Sequence, residues 1–279
     1  MGRLPTALFV GPMRAGTTWV HQYLVARGDV CLPRGVKETF FFDRYWSSGV
    51  RWYASHFRHF DELRHVQVVE VAPSYFCVQD APARILQKLG TVKIAVMARD
   101  PIERSWSHFL HLRRYGLVDD DIRRAVDLFP DIVDASRYSV HVPRWSQAFG
   151  PQSLHLFNFD DVVSSPAAFE RQVEDFLGLP IRDWVMQVPP RTNVSVTAPR
   201  AKWLARSGRW VASFLRRRQF YAAVNFAKRL RFDRLFYGGG ERSVPRLRDQ
   251  DRVWLEEVLA NEYESGTAVL YSWSRRCGR

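Results

Sequence analysis

Leu8-Phe9-Val10-Gly11-Pro12-Met13-Arg14-Ala15-Gly16-Thr17-Thr18-Trp19 is the stretch that decides the fold of this 279-residue chain. Its apolar start reads as a buried strand, which Gly11-Pro12 breaks. A loop of small residues follows, and a helical pattern then covers residues 17–27. Strand, tight loop and helix start aim several backbone N–H groups, with the positive end of the helix dipole, at one point. An anion suits that point, and Arg14 places a formal charge beside it. The plain alternative is a strand-to-helix turn in which Gly and Thr serve only as cap residues.

Outward from this stretch, further apolar runs at 66–71, 93–98 and 154–157 read as strands. Helical patterns lie between or beyond them at 50–57, 81–89, 102–115, 137–149 and 167–177. Alternation of this kind predicts an α/β fold, a three-layer sandwich with a central parallel sheet flanked by helices. Such sheets bind ligands at the carboxyl ends of their strands. Asp160-Asp161 with Ser164-Ser165-Pro166 reads as a capped turn, Phe176 to Pro180 as a helix stop, and 248–272 as packing helices. One domain over 1–279 is expected, with a basic helical insertion at about 199–237.

Composition narrows the class. At 46% hydrophobic and 14% aromatic residues the chain is globular. No apolar run approaches the roughly 18 residues of a membrane span. The start leads straight into the first strand, so no secretory signal is expected. Three widely spaced cysteines, Cys31, Cys77 and Cys277, show neither metal spacing nor a disulfide framework, and a reducing cytoplasm is the expected setting. Of the net charge of +12, residues 199–252 hold +11, from 15 Lys or Arg against 4 Asp or Glu. The basic character is therefore local.

Gly11 and Gly16 stand as in the nucleoside-triphosphate loop G-x-x-x-x-G-K-[ST], but Thr17 occupies the lysine position and the cation has moved to Arg14. That change argues against an ordinary ATPase or kinase. A second anion site is expected where the 93–98 strand ends at Arg99-Asp100-Pro101. Pro101 suits a first helical turn, and Ser107 follows Arg99 by eight residues, about two turns on. Arginine and serine so placed reach one phosphate, through contacts worth roughly 1.5–3 kcal/mol each. Alone, the pair reads better as an ion pair and a surface hydroxyl. With the first loop it indicates a ligand carrying two separate anionic groups.

Together the G-x-x-[KR]-x-G-T-T loop and the R-D-P strand end with Ser at plus eight resemble the sulfotransferases that use 3′-phosphoadenosine 5′-phosphosulfate (PAPS). Lys37-Glu38-Thr39-Phe40-Phe41-Phe42-Asp43, Gly49-Val50-Arg51-Trp52-Tyr53, Glu70-Val71-Ala72-Pro73-Ser74-Tyr75-Phe76 and Ala81 to Ile85 resemble the heparan sulfate O- and N-sulfotransferase branch. The likeness is dense from residue 8 to about 116 and thinner beyond. It implies a P-loop-like fold and a metal-free transfer of a sulfuryl group from PAPS to a hydroxyl or amine. The acceptor implied is a carbohydrate, glycolipid or secondary metabolite.

Residue by residue, the resemblance gives the 5′-phosphosulfate to the loop with Arg14, Ala15, Gly16, Thr17, Thr18 and Trp19, and the 3′-phosphate to Arg99 and Ser107. Glu38 matches the general base; without the motif it reads as a loop carboxylate paired to Lys37. Two positions depart from the family. Its loop lysine is Arg14 here, which will not give up a proton, and its second active-site lysine is Val71. Lys37 is the candidate substitute for the latter, and Glu70 a second carboxylate able to share the base role. His111, one turn after Ser107, matches a histidine of the N-sulfotransferases or is a satisfied helix histidine. Asn193-Val194-Ser195 resembles a segment near the nucleotide. Gly239, Gly240 and Arg242 resemble the late glycine-rich loop over the 3′-phosphate, or form a flexible turn.

The basic, aromatic segment 199–237 reads as helices with a solvated face, as a peripheral contact with anionic lipid, or, last, as a nucleic-acid surface, no RNA or DNA module being recognised. Two other functions stay open. One is a P-loop small-molecule kinase; the other is a non-catalytic basic protein, binding membrane or nucleic acid, on a degenerate nucleotide fold. Oligomeric state is not legible.

Overall fold

The computed structural model describes residues 3–183, 186 and 245–263. In chain order its elements are β1 (Ala7–Gly11), α1 (Thr17–Arg27), β2 (Val30–Cys31), α2 (Gly49–Ala54) and β3 (Gln67–Val71). Next come α3 (Ala81–Leu89), β4 (Lys93–Ala98), α4 (Pro101–Arg114), α5 (Ile122–Leu128) and α6 (Asp131–Asp134). Then follow α7 (Tyr138–Phe149), β5 (Leu154–Asn158), α8 (Phe159–Ser164), α9 (Pro166–Leu177) and a last helix, Asp249–Val258.

The five strands form one parallel sheet in the order β2-β3-β1-β4-β5. β1 is central, with Leu8 opposite Glu70 on one side and Ile94 on the other. Its side chains alternate between two cores, the period-2 signature of a strand buried on both faces. Leu8 and Val10 join Ile94, Val96, Tyr53, Ile85 and Trp145 under α2, α3 and α7. Ala7 and Phe9 join Ala95, Met97, Trp19, Phe169 and Val173 under α1, α8 and α9. The expected three layers are present. Winding reverses direction at β1, which puts the carboxyl end of β1, between those of β3 and β4, where ligands of such sheets bind.

Four of the five strands lie at the runs read from sequence. The two-residue edge strand β2 was not foreseen, being too short to carry a period. The 50–57 helix ends as α-helix at Ala54 and tightens to a 3₁₀ turn, Ser55–Phe57. The turn expected at Asp160-Asp161 is the short helix α8, capped by Asn158, whose side chain accepts from Asp160 N at 3.0 Å. α5 was also unforeseen; Asp121 caps it, accepting from the backbone N–H groups of Arg123 and Arg124. α5 and α6 pack with α4 and the last helix in a satellite core of Phe109, Ile122, Ile132 and Leu255.

Gly11 and Gly16 bracket the loop after β1 and both have positive φ, +120° and +91°. A Cβ on Gly11 would stand 2.5 Å from the Pro73 carbonyl oxygen, and one on Gly16 2.7 Å from the Phe159 ring. The loop is thus pressed between the end of β3 and the start of α8. Gly11→Ala, combining backbone strain with a clash against main chain, is expected to cost about 2–3 kcal/mol, read as a lowered urea midpoint at unchanged m-value.

Candidate active site

The loop between Gly11 and α1 has an open helix start. Gly16 is the N-cap, no side chain caps it, and the first turn carries no acidic residue. Lys37 reaches that turn from the segment after β2, its Nζ donating to Thr17 Oγ1 at 3.3 Å and Thr18 Oγ1 at 3.1 Å. It thereby brings an ammonium to where the nucleoside-triphosphate loop would carry its lysine. Arg14 adopts φ +72° and crosses from the loop to α4, where its Nε donates to Ser107 Oγ at 3.1 Å. Arg99 closes the group, its Nη1 donating to the Arg14 carbonyl at 3.1 Å and its guanidinium lying 4.8 Å over the Phe159 ring centre.

The arginine and serine expected to share one phosphate are thus linked through Arg14, Arg99 to its main-chain carbonyl and Ser107 to its side chain. Burial lowers the pKa of Arg14, and the Arg99 charge lowers it further. Two guanidinium groups held together in this way favour an anion between them. Arg104, fully buried on α4, anchors the loop from behind by donating to the Met13 carbonyl at 3.2 Å.

Glu38 sits beside this cationic group. Its Oε1 accepts from the backbone N–H of Ser74 at 2.9 Å, at the carboxyl end of β3. Burial pushes the Glu38 carboxyl up to about 7, and the nearby Glu70 adds to the rise while Lys37 opposes it. Burial takes Lys37 down to about 8, with Arg14 contributing, against the pull of Glu38. Near neutral pH one member of this adjacent pair can accept a proton while the other stays cationic, the arrangement a general base beside an anion site requires.

Three expected site residues stand differently. Glu70 is 0% exposed and accepts from Thr39 N at 2.8 Å, Thr39 Oγ1 at 2.6 Å and Tyr53 Oη at 2.7 Å, with Tyr75 Oη 3.3 Å from both oxygens. It is sealed in the core, so the base role is corrected: Glu70 fixes the backbone next to Glu38. Trp19 packs its ring against Tyr23 and Phe169, so the side chain belongs to the core, and its backbone N–H donates to the Gly16 carbonyl. Ala15 is fully buried, leaving only its backbone to meet an anion.

His111 lies in the field of Arg14, and burial with that charge takes its pKa down to about 4. It is neutral at pH 7. Sequence reading missed Ser74, which holds Glu38, His21, whose pKa burial and Lys37 lower to about 4, and Arg104. Arg104 lies within the Arg-Asp-Pro helix, five residues beyond Arg99, and that was the only available signal. Gly239, Gly240, Arg242, Asn193 and the segment 199–237 lie outside the described residues.

Away from the loop, Cys77, Asp134 and His141 bring ligand atoms within 4.8 Å of one another. Asp134 there bonds His141 Nε2 at 3.1 Å and faces Arg137 at 4.0 Å.

Comparison with known proteins identifies the family. The sulfotransferase domain profile matches residues 4–218. The mouse heparan sulfate glucosamine 3-O-sulfotransferase 3B1 is 29% identical over 187 residues, 63% of this chain and 47% of that protein. Human heparan sulfate glucosamine 3-O-sulfotransferase 6 is 32% identical over 193 residues, 63% of this chain and 53% of its own. The chain spans about half the length of these curated relatives. In three dimensions a sulfotransferase from Alicyclobacillus acidocaldarius superposes with a TM-score of 0.56 at 21% identity, covering 67% of this chain and 87% of that one. The chain belongs to the sulfotransferase family.

Proposed function

We propose that this protein transfers a sulfuryl group from PAPS to a hydroxyl or amine of a carbohydrate-like acceptor, with Glu38 as the base. One observation carries the reading: the Glu38 carboxyl, held by Ser74 N, stands beside an ammonium that is hydrogen-bonded to the open first turn of α1. The residues fit an anionic donor. The helix start is uncapped, and Arg14, Lys37 and Arg99 supply three cations around the loop.

When bound, the donor supplies an activated sulfuryl group on a phosphate leaving group. Lys37 and the first turn of α1 would hold its 5′ end, and Arg99 with Ser107 its 3′-phosphate. Glu38 takes the acceptor's proton as the acceptor atom bonds to sulfur and the bond from sulfur to the phosphate oxygen breaks. Arg14 and Lys37 stabilise the charge left on that oxygen and need not give up a proton to do so. His111, neutral at pH 7, acts as a hydrogen-bonding neighbour rather than a cation. The names of the relatives, heparan sulfate sulfotransferases, support a carbohydrate acceptor.

No helix among the described residues is long and apolar enough to cross a membrane. We place the enzyme in the cytoplasm, with 199–237 as a peripheral contact for anionic lipid, a reading supported by the charge held in that part of the chain. Calorimetry with adenosine 3′,5′-bisphosphate tests the donor site. Arg99→Ala is expected to weaken binding about 10- to 100-fold by removing a charge-assisted contact. Equal affinity in the variant and the parent overturns the assignment.

A further inference from the structure

Cys77, Asp134 and His141 come together from three parts of the chain. Cys77 follows the 3₁₀ turn Pro73–Tyr75 after β3, Asp134 ends α6, and His141 stands near the start of α7. Among the described residues this is the one group of three such side chains whose ligand atoms lie so close, all within 4.8 Å. The sulfotransferase reading uses none of them. We propose that they form a site for one zinc-class divalent ion, held by sulfur, an imidazole nitrogen and a carboxylate oxygen. The ion would tie the chain after β3 to α6 and α7.

Geometry is the first argument. Ligand atoms around a tetrahedral zinc stand roughly 3.4–3.6 Å apart, given bonds of about 2.0–2.3 Å. His141 Nε2 is already 3.1 Å from Asp134 Oδ2. The widest separation in the group leaves about 1 Å to close, within reach of a side-chain adjustment. The frame stands without the ion. Arg144 Nη2 and Trp145 Nε1 of α7 donate to the Phe76 carbonyl at 2.6 and 3.0 Å, which fixes the backbone next to Cys77. Asp134 divides its oxygens: Oδ1 faces Arg137 at 4.0 Å, and Oδ2 is turned to the imidazole. A carboxylate oriented through its outer oxygen is the support that metal ligands need.

The donor set chooses the ion. Thiolate and imidazole suit zinc, whereas calcium and magnesium take oxygen ligands. Cys77 also lines a cavity of about 270 Å³, which gives an entry path and room for a water in the fourth position. His141 is 4% exposed, and its Nδ1 has no hydrogen-bond partner among the described residues. A buried polar atom left over in this way marks a place where an ion or ordered water completes the structure. As the ion enters, the thiol proton leaves to solvent and sulfur bonds the metal. The imidazole proton stands on the ring nitrogen that does not. Two positive charges then meet one thiolate and one carboxylate, so the filled site is neutral beside Arg137.

The test uses the full chain, stripped with a chelator and kept under argon. Titration with Co²⁺ should give a thiolate-to-metal charge-transfer band in the near ultraviolet, complete at one equivalent. Zn²⁺ should displace the cobalt and its band, and should raise the Tm of the parent. In Cys77→Ser the band should be lost. Competition with a chromophoric chelator should show Cys77→Ser and His141→Gln each binding Zn²⁺ at least about tenfold more weakly. Circular dichroism confirms that the variants fold, and the conservative Cys77→Ser carries the test should His141→Gln not fold.

A parent without the band overturns the proposal. So does a band that survives in Cys77→Ser, which would assign the ion to Cys31 or Cys277. Equal Zn²⁺ affinity in the parent and both variants would mean capture by surface groups, and overturns it as well. The sulfotransferase reading is decided separately, by donor binding and sulfate transfer.

Discussion

Replacing Glu38 by Gln should lower kcat by about 10²–10⁴ with little change in donor affinity, since a positioned base contributes on that order. The amide keeps the size of the side chain and can still accept from Ser74 N, but it cannot hold the acceptor's proton. The pH profile gives the sharper readout. Glu38 works deprotonated, so activity should rise with pH through about 7, the value to which burial lifts its carboxyl. Lys37 works protonated, so activity should fall as pH passes about 8, the value to which burial brings its ammonium.

The expected profile is therefore a narrow bell whose two limbs belong to the adjacent pair as a unit. In Glu38→Gln the acid limb should vanish from the residual activity. In Lys37→Arg the alkaline limb should move out of range, because arginine stays protonated. A flat profile in the parent between pH 6 and pH 9 would refute the assignment of both residues.

Arg104→Met should destabilise the protein by about 3–5 kcal/mol, the range for removing one partner from a buried charged network. The guanidinium is fully buried and donates to the Met13, Asp131 and Ile132 carbonyls and to Ser136 Oγ. Burial lowers its pKa to about 10, which still leaves it charged at pH 7. Methionine fills the volume but strands the oxygens in a dry interior, where each unsatisfied group costs roughly 1–3 kcal/mol. Because Met13 belongs to the nucleotide loop, affinity for adenosine 3′,5′-bisphosphate should fall together with the denaturation midpoint. An undiminished midpoint would mean that the loop and α4 do not depend on this contact.

Much of the architecture was legible because it is local. β1, α1 and the loop between them follow from an apolar run, a Gly-Pro break and a second glycine, features that act within a few residues. Arg99 and Ser107 were placed from strand end and helical spacing alone, and they do share a neighbourhood with Arg14. β2 escaped because two residues carry no period. α5 escaped because a seven-residue helix on a satellite core owes more to its Asp121 cap and packing than to its own pattern.

Glu70 shows the limit most clearly. As a residue type beside the acceptor motif it looked like a second base, yet its direction along β3 carries it into the core, to Thr39, Tyr53 and Tyr75. Lys37 shows the converse. Nothing in its spacing tells that it would reach Thr17 and Thr18, 20 and 19 residues earlier.

The chain alone thus determined its strands and helices, the anion-binding loop and the residue types that chemistry would need, since these depend on neighbours in sequence. Only the tertiary structure decided which carboxylate is sealed in the core and which lies beside Lys37, and that Lys37 reaches the first turn of α1. Burial and charge at a site are set by groups far apart in the chain, and those groups meet only when the sheet has formed.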